Sequence, residues 1–284
     1  MLTGYFAIYM TKKLLAPFFL ALLIIIGNVS CASPSAPANL LTVSVEPLRC
    51  LTEQIAGDAY HVTTLVPEGA NPEASDPTFA QLSLLAQSKA CFFVGRLGFE
   101  IAWIDRLRAA APNVPFIELD SCAANGDDPH IWTSPSSLHS IARRVCDELC
   151  RLDSARTETF KSNLCAVEAH LDTLDARLRA LLDSPAHKAF LIYHPSLTLF
   201  ARDYGLQQIT LEDSGKEPSP ARLAAIIRQA KKQNVGIILI QKEFDSRNAQ
   251  FIAQETGARI EIINPLEYNY ASELLRIAQI LHNP

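Results

Sequence analysis

From Leu40 onward, short apolar runs alternate with longer amphipathic stretches, and this alternation sets the expected fold. Residues 41–45, 60–66, 90–94 and 116–119 have strand length and are rich in Val, Leu, Ile and Phe. Between them, residues 47–57, 77–88 and 99–110 carry apolar positions at helical spacing. A strand, a helix and another strand in succession is the unit that gives parallel pairing. The nearly continuous apolar character is what strands covered on both faces require. The same order returns after Pro185, with strand runs at 190–193, 206–211, 235–240 and 259–263. Between the two sets, Phe160, Leu164, Val167, Leu171, Leu174, Leu178 and Leu181 are spaced alternately four and three apart. One helix of about 28 residues within the linker 154–184 accounts for them, and at 1.5 Å per residue it runs to roughly 40 Å, enough to pass along both halves. The expected fold class is therefore α/β, with two α/β lobes of mostly parallel four-stranded sheets joined by a long rigid linker helix. The lobes are assigned to 41–153 and 185–284. The linker stripe also fits heptads, so a coiled-coil dimer is the competing reading. Only about three heptads are present, which favours packing within the chain.

The first residues follow a different pattern. Lys12 and Lys13 precede an apolar run over 14–26 that is too short to span a bilayer, and the run ends in Gly27-Asn28-Val29-Ser30-Cys31. Residues 1–31 read as an export signal whose last part resembles a bacterial lipobox, with Asn28 where Leu is usual. Cys31 would then be acylated and become the mature N-terminus, and the Ser-, Pro- and Ala-rich stretch 32–40 would be a flexible tether. An ordinary signal peptide cut elsewhere is the alternative, and both readings export the protein. Met10 stands directly before the basic and apolar pattern and is an alternative start.

Composition narrows the function classes. The chain has 284 residues, a formal net charge of -5 and no basic run beyond pairs such as Arg143-Arg144 and Lys231-Lys232, so nucleic acid is not an expected partner. Setting Cys31 aside leaves Cys50, Cys91, Cys122, Cys146, Cys150 and Cys165. Their spacing dictates no pairing, and buried free thiols are the expectation for most of them.

In open α/β sheets, ligands bind beyond the carboxyl ends of the strands. Four polar residues stand there: Glu73 after the second strand, His130 after the fourth, His194 at the end of the fifth and Asn264 at the end of the last. Two come from each lobe, which would set them on opposite walls of a cleft. Two imidazoles facing a carboxylate are a donor set that zinc accepts. His61, His139, His170, His187 and His282 read as structural or solvated, and so do Glu212, Asp213 and Glu243, one of which could complete a metal shell.

The segments Pro67-Glu68-Gly69-Ala70-Asn71-Pro72-Glu73, Asp128-Pro129-His130-Ile131-Trp132, Tyr193-His194-Pro195, Glu217-Pro218-Ser219-Pro220 and Asn264-Pro265-Leu266 carry a family resemblance. With them the chain resembles the metal-binding solute-binding proteins of zinc and manganese ABC transporters, cluster A-I of the periplasmic binding proteins, from about residue 41 to the C-terminus. The resemblance implies two lobes bridged by a long helix and metal ligands at Glu73, His130, His194 and Asn264. Its implied role is a monomeric capture protein, not an enzyme, that hands its cargo to an ABC permease and its ATPase. Such a protein would sit on the periplasmic or extracellular face of the membrane, held there by a lipid anchor. Glu73 stands where histidine is usual and Asn264 where aspartate is usual, so the carboxylate has changed lobes and Asn264 is the weaker donor. Zinc (Zn2+) is the expected cargo, with manganese (Mn2+) less favoured because two imidazoles are softer than an oxygen-rich site. Haem or an iron chelate on the same scaffold, a zinc hydrolase and an adhesin are the other readings. The hydrolase lacks any His-Glu-x-x-His or Gly-x-Ser-x-Gly motif.

Overall fold

The computed structural model describes residues 39–122, 128–212, 218–244 and 247–283. The leader with Met10 and Cys31, together with Asp213, Glu217 and the Cys122 side chain, lies outside the described residues. Two four-stranded sheets form the two lobes. The first contains β1 (Leu40–Val43), β2 (His61–Thr64), β3 (Ala90–Phe93) and β4 (Phe116–Glu118), in the order β2-β1-β3-β4. The second contains β5 (Ala189–Ile192), β6 (Gln207–Thr210), β7 (Ile237–Gln241) and β8 (Arg259–Ile263), in the order β6-β5-β7-β8. Every strand pair is parallel, and the two lobes share one topology.

The residues explain which strands are central. β1, β3 and β7 are buried along their whole length, and β5 is buried from Phe190 on, whereas the edge strands β2 and β8 leave His61 and Ile262 exposed. In the second sheet the two faces of β5 and β7 are both apolar. Phe190, Ile192, Ile237 and Leu239 face one cluster, and Leu191, Tyr193, Ile238 and Ile240 face another. That is the pattern of strands with helices on both sides.

The helices are α1 (Glu46–Ala56), α2 (Phe79–Ala86), α3 (Gly98–Ala110), α4 (Pro135–Leu152), α5 (Thr157–Leu182), α6 (Thr198–Asp203), α7 (Pro220–Lys232), α8 (Arg247–Thr256) and α9 (Tyr270–His282). Several starts are fixed by capping. Ser134 and Ser219 accept from the backbone three residues on, each followed by proline at the first helical position, and Thr78 forms a reciprocal box with Gln81. Among the described residues no helix is long and apolar enough to cross a membrane.

Helix α5 has 26 residues and spans about 39 Å. Its Phe160, Val167, Leu171, Leu174 and Leu178 are buried within the chain, with Leu182 closing the stripe in place of the half-buried Leu181. The stripe is therefore used up inside the molecule and offers no free seam for a coiled coil. It packs into a single core that holds Leu41, Val43 and Phe92 of the first lobe together with Phe190, Ile192, Leu239 and Ile277 of the second. Cys50, Cys91 and Cys146 are buried free thiols, as expected, whereas Cys150 is half-buried and Cys165, off the α5 stripe, is exposed.

Polar contacts also join the lobes. The Trp132 indole donates to the Pro265 carbonyl at 2.8 Å, Ser134 Oγ donates to Asp203 at 2.5 Å, and Tyr268 Oη donates to Glu53 at 2.5 Å.

Candidate metal centre

Each wall of the cleft is built from turns that follow a strand. After β2, Asn71 Oδ1 accepts the Glu73 N–H at 2.9 Å and fixes the backbone that presents Glu73. The Glu73 carboxylate rests on the first turn of α3, where the Gly98 N–H donates to Oε2 at 3.0 Å at the positive end of the helix. Glycine is needed at 98, because a Cβ there would lie 2.5 Å from the Glu73 carbonyl oxygen and 2.8 Å from Oε2. Glu73 Oε1 is buried and has no hydrogen-bond partner among the described residues.

After β4, the Asp-Pro-His sequence closes on itself. Asp128 Oδ1 accepts both the backbone N–H and the ring Nδ1 of His130, each at 2.8 Å. Burial alone pushes the Asp128 carboxyl up, but the hydrogen bonds it accepts from His130 and Thr198 outweigh that and leave it below its ordinary value. His130 itself is buried, and its ring meets Trp132 edge-on.

At the end of β5, Gln241 clamps the Tyr193-His194-Pro195 turn. Its amide donates to the His194 carbonyl at 2.6 Å and accepts the His194 N–H at 3.3 Å. Glu212, at the end of β6, bonds His194 Nδ1 at 2.9 Å, and the Phe244 ring stacks on the imidazole with planes 15° apart.

The two imidazoles meet across the cleft, His130 Nε2 lying 3.1 Å from His194 Nε2. Each Nδ1 faces a carboxylate oxygen, so it carries the proton, and each Nε2 is left with a lone pair. Two lone pairs at that distance repel unless a cation or a proton sits between them. Two nitrogens about 2.05 Å from one zinc ion at the tetrahedral angle are about 3.3 Å apart, close to the spacing present. Glu73, His130 and His194 bring one donor atom each within 4.8 Å of one another. They line a cavity of about 10 Å³ with Glu243, Phe244 and Leu266, which is the room of a single ion or water.

Asn264 is placed differently. It is buried next to the site, and its neighbours Pro265 and Leu266 line the cavity while Asn264 does not. Its amide donates to Glu267 at 2.8 Å and its backbone N–H to Glu273 at 2.7 Å. The structure thus gathers three of the four expected residues. Of the acids read as structural or solvated, with one of them able to complete a metal shell, two stand at the site. Glu212 orients His194, and Glu243 lines the cavity with a buried oxygen, Oε2, that has no partner among the described residues. Burial pushes the Glu243 carboxyl up, opposed first by a hydrogen bond from its own backbone N–H and then by His194 and Lys242. The remaining histidines are elsewhere, as expected: His139 pairs with Asp172, His282 bonds the Leu181 carbonyl, and His61 is exposed on an edge strand.

Residues 41–278 match the family model of the zinc-uptake complex component A, periplasmic, ZnuA. The chain belongs to the ZnuA family. Its ZnuA-type fold superposes on a crystal structure of ZnuA with a TM-score of 0.81 at 34% identity, covering 87% of this chain and 99% of that one. Over 254 residues it is 26% identical to a protein of Treponema pallidum (strain Nichols) named as a candidate metal-binding protein, covering 81% of this chain and 80% of the relative. It is 24% identical over 268 residues to the zinc-binding lipoprotein AdcA of Streptococcus pneumoniae (strain ATCC BAA-255 / R6). That match covers 84% of this ZnuA-family chain but only 52% of AdcA, so the chain spans about half the length of that relative. The ZnuA family is one of substrate-binding transport proteins, and the fold is theirs.

Proposed function

We propose that the protein captures a zinc ion outside the cytoplasmic membrane, between Glu73, His130 and His194, and passes it to the permease of an ABC importer driven by its ATPase. The observation that carries this reading is the 3.1 Å approach of two imidazole nitrogens, one from each lobe, with both opposite ring nitrogens held by carboxylates. Zinc relatives such as ZnuA and AdcA support the choice of cargo. Manganese is the second candidate and is less suited, since it favours octahedral oxygen shells. Haem or a chelate has no room in a cavity of about 10 Å³. The lipobox-like end at Cys31 supports a lipid anchor, and the consumed α5 stripe is in keeping with a monomer.

Elemental analysis of the purified protein, after exposure to equal zinc and manganese, tests the proposal. About one zinc per chain is expected, and a manganese-loaded or metal-free protein would overturn it. The orienting role of Glu212 is tested by Glu212→Gln. Losing the charge that holds the His194 tautomer should weaken zinc binding about 10- to 100-fold in a chelator competition. An unchanged affinity would mean that the 2.9 Å contact is incidental.

A further inference from the structure

Zinc held for transport rather than catalysis needs a closed shell, and three protein donors leave the fourth position open. We infer that Glu243 supplies that fourth donor, in place of Asn264. This inference rests on the zinc site proposed above and assigns one more of its residues.

Three observations carry it. Glu243 lines the same cavity as Glu73, His130 and His194, whereas Asn264 does not. Its Oε2 is buried with no partner among the described residues, a costly state for a carboxylate oxygen that a cation would relieve. The residue also sits in a turn that already touches a ligand. The Phe244 N–H bonds the Gln241 carbonyl at 3.0 Å, and the Phe244 ring lies stacked on His194 at 5.3 Å between centroids. Glu243 is not one of the three residues whose donor atoms already gather within 4.8 Å, so its carboxylate turns inward when the ion arrives. Asn264 Oδ1 is likewise buried without a partner among the described residues, so cavity lining and charge, not the unpartnered oxygen, separate the two residues. The Asn264 amide nitrogen is held by Glu267 and its backbone N–H by Glu273. The shell then has two imidazoles and two carboxylates, one acid from each lobe, and its two negative charges balance a divalent ion within the cleft.

The test uses Co2+ as a spectroscopic probe and Zn2+ in chelator competition on the wild-type protein, Glu243→Gln, Glu243→Asp, Asn264→Ala and the double variant His130→Ala/His194→Ala. The wild type and Asn264→Ala should show the same four-coordinate Co2+ visible band and the same zinc affinity. Glu243→Gln should lose affinity by more than the 10- to 100-fold typical of an outer partner, with a changed band. Glu243→Asp, which keeps the charge but shortens the reach, should fall with it. Thermal unfolding of the metal-free variants separates this from a folding defect. If Asn264→Ala alters the band and Glu243→Gln does not, the assignment is overturned in favour of Asn264. If neither does, water holds the fourth position and the assignment fails. A full Co2+ band in the double histidine variant would instead remove the underlying site.

Discussion

Replacing His130 and His194 together by alanine is expected to abolish tight zinc binding and leave the fold in place. A structural zinc site with four donors is worth about 10–16 kcal/mol, or roughly 3–4 kcal/mol per donor. Removing two donors should therefore cost about 6–8 kcal/mol, a loss of affinity of roughly 10⁴- to 10⁶-fold. Calorimetry with a competing chelator reads this directly. The metal-free variant should melt somewhat lower, because relief of the facing lone pairs at 3.1 Å is opposed by the loss of the ring partners of Asp128 and Glu212, so binding is read at a temperature well below its midpoint. In the wild type, affinity should fall as the pH is lowered, since protons compete with the ion for those same lone pairs. A double variant that bound zinc as tightly as the parent would end the case for this cleft.

The second large effect concerns Trp132. Its side chain is 1% exposed and donates across to the second lobe at Pro265. Trp132→Ala removes a fully buried aromatic at a cost of about 3–5 kcal/mol, and it leaves a carbonyl without its donor. For a unit of this size each kcal/mol moves the midpoint by about 2–4 °C, so a fall of roughly 6–20 °C is expected in thermal unfolding. Zinc affinity should drop as well, because His130 lies two residues away on the same turn. A midpoint lowered by less than about 2 °C would show that the indole does not pin the lobes together.

Much of this architecture was legible in the sequence because its signals are local. Runs such as Ala90–Phe93 and residues 237–240 are apolar throughout because helices cover both faces, and such runs need no knowledge of their neighbours. The rule that sites lie past strand ends drew attention to Glu73, His130 and His194, which the structure gathers in one place. What escaped depends on strand order. Glu212 reaches His194 because β6 lies beside β5 in register, Ile192 opposite Thr210, and residues 18 apart in the chain give no hint of that contact. Glu243 was one of three acids able to complete a metal shell, and only the end of β7 coming alongside β5 singles it out as lining the cavity. Asn264 differs from Glu73, His130 and His194 in not lining the cavity. It stands at a strand end with its amide nitrogen donating to Glu267 three residues on, a local bond that strand-end position does not foretell. The α5 stripe fitted two readings until its partners were known. Leu171 and Leu178 face this chain's own core, not a second copy.

One apolar interior shared by both halves also governs how cargo can leave. Swinging the halves apart like a clamshell would wet the seam at about 25 cal/mol per Å², so baring some 400 Å² costs roughly 10 kcal/mol, as much as an entire protein of ordinary stability. On the proposed function, unloading would therefore work on the short turns at the cavity, lifting Asp128–Ser134 or Gln241–Phe244 while the frame stays shut. Exit rate is then set by the stiffness of those few residues, and substitutions in them should alter how fast metal is surrendered without changing how the body of the molecule melts.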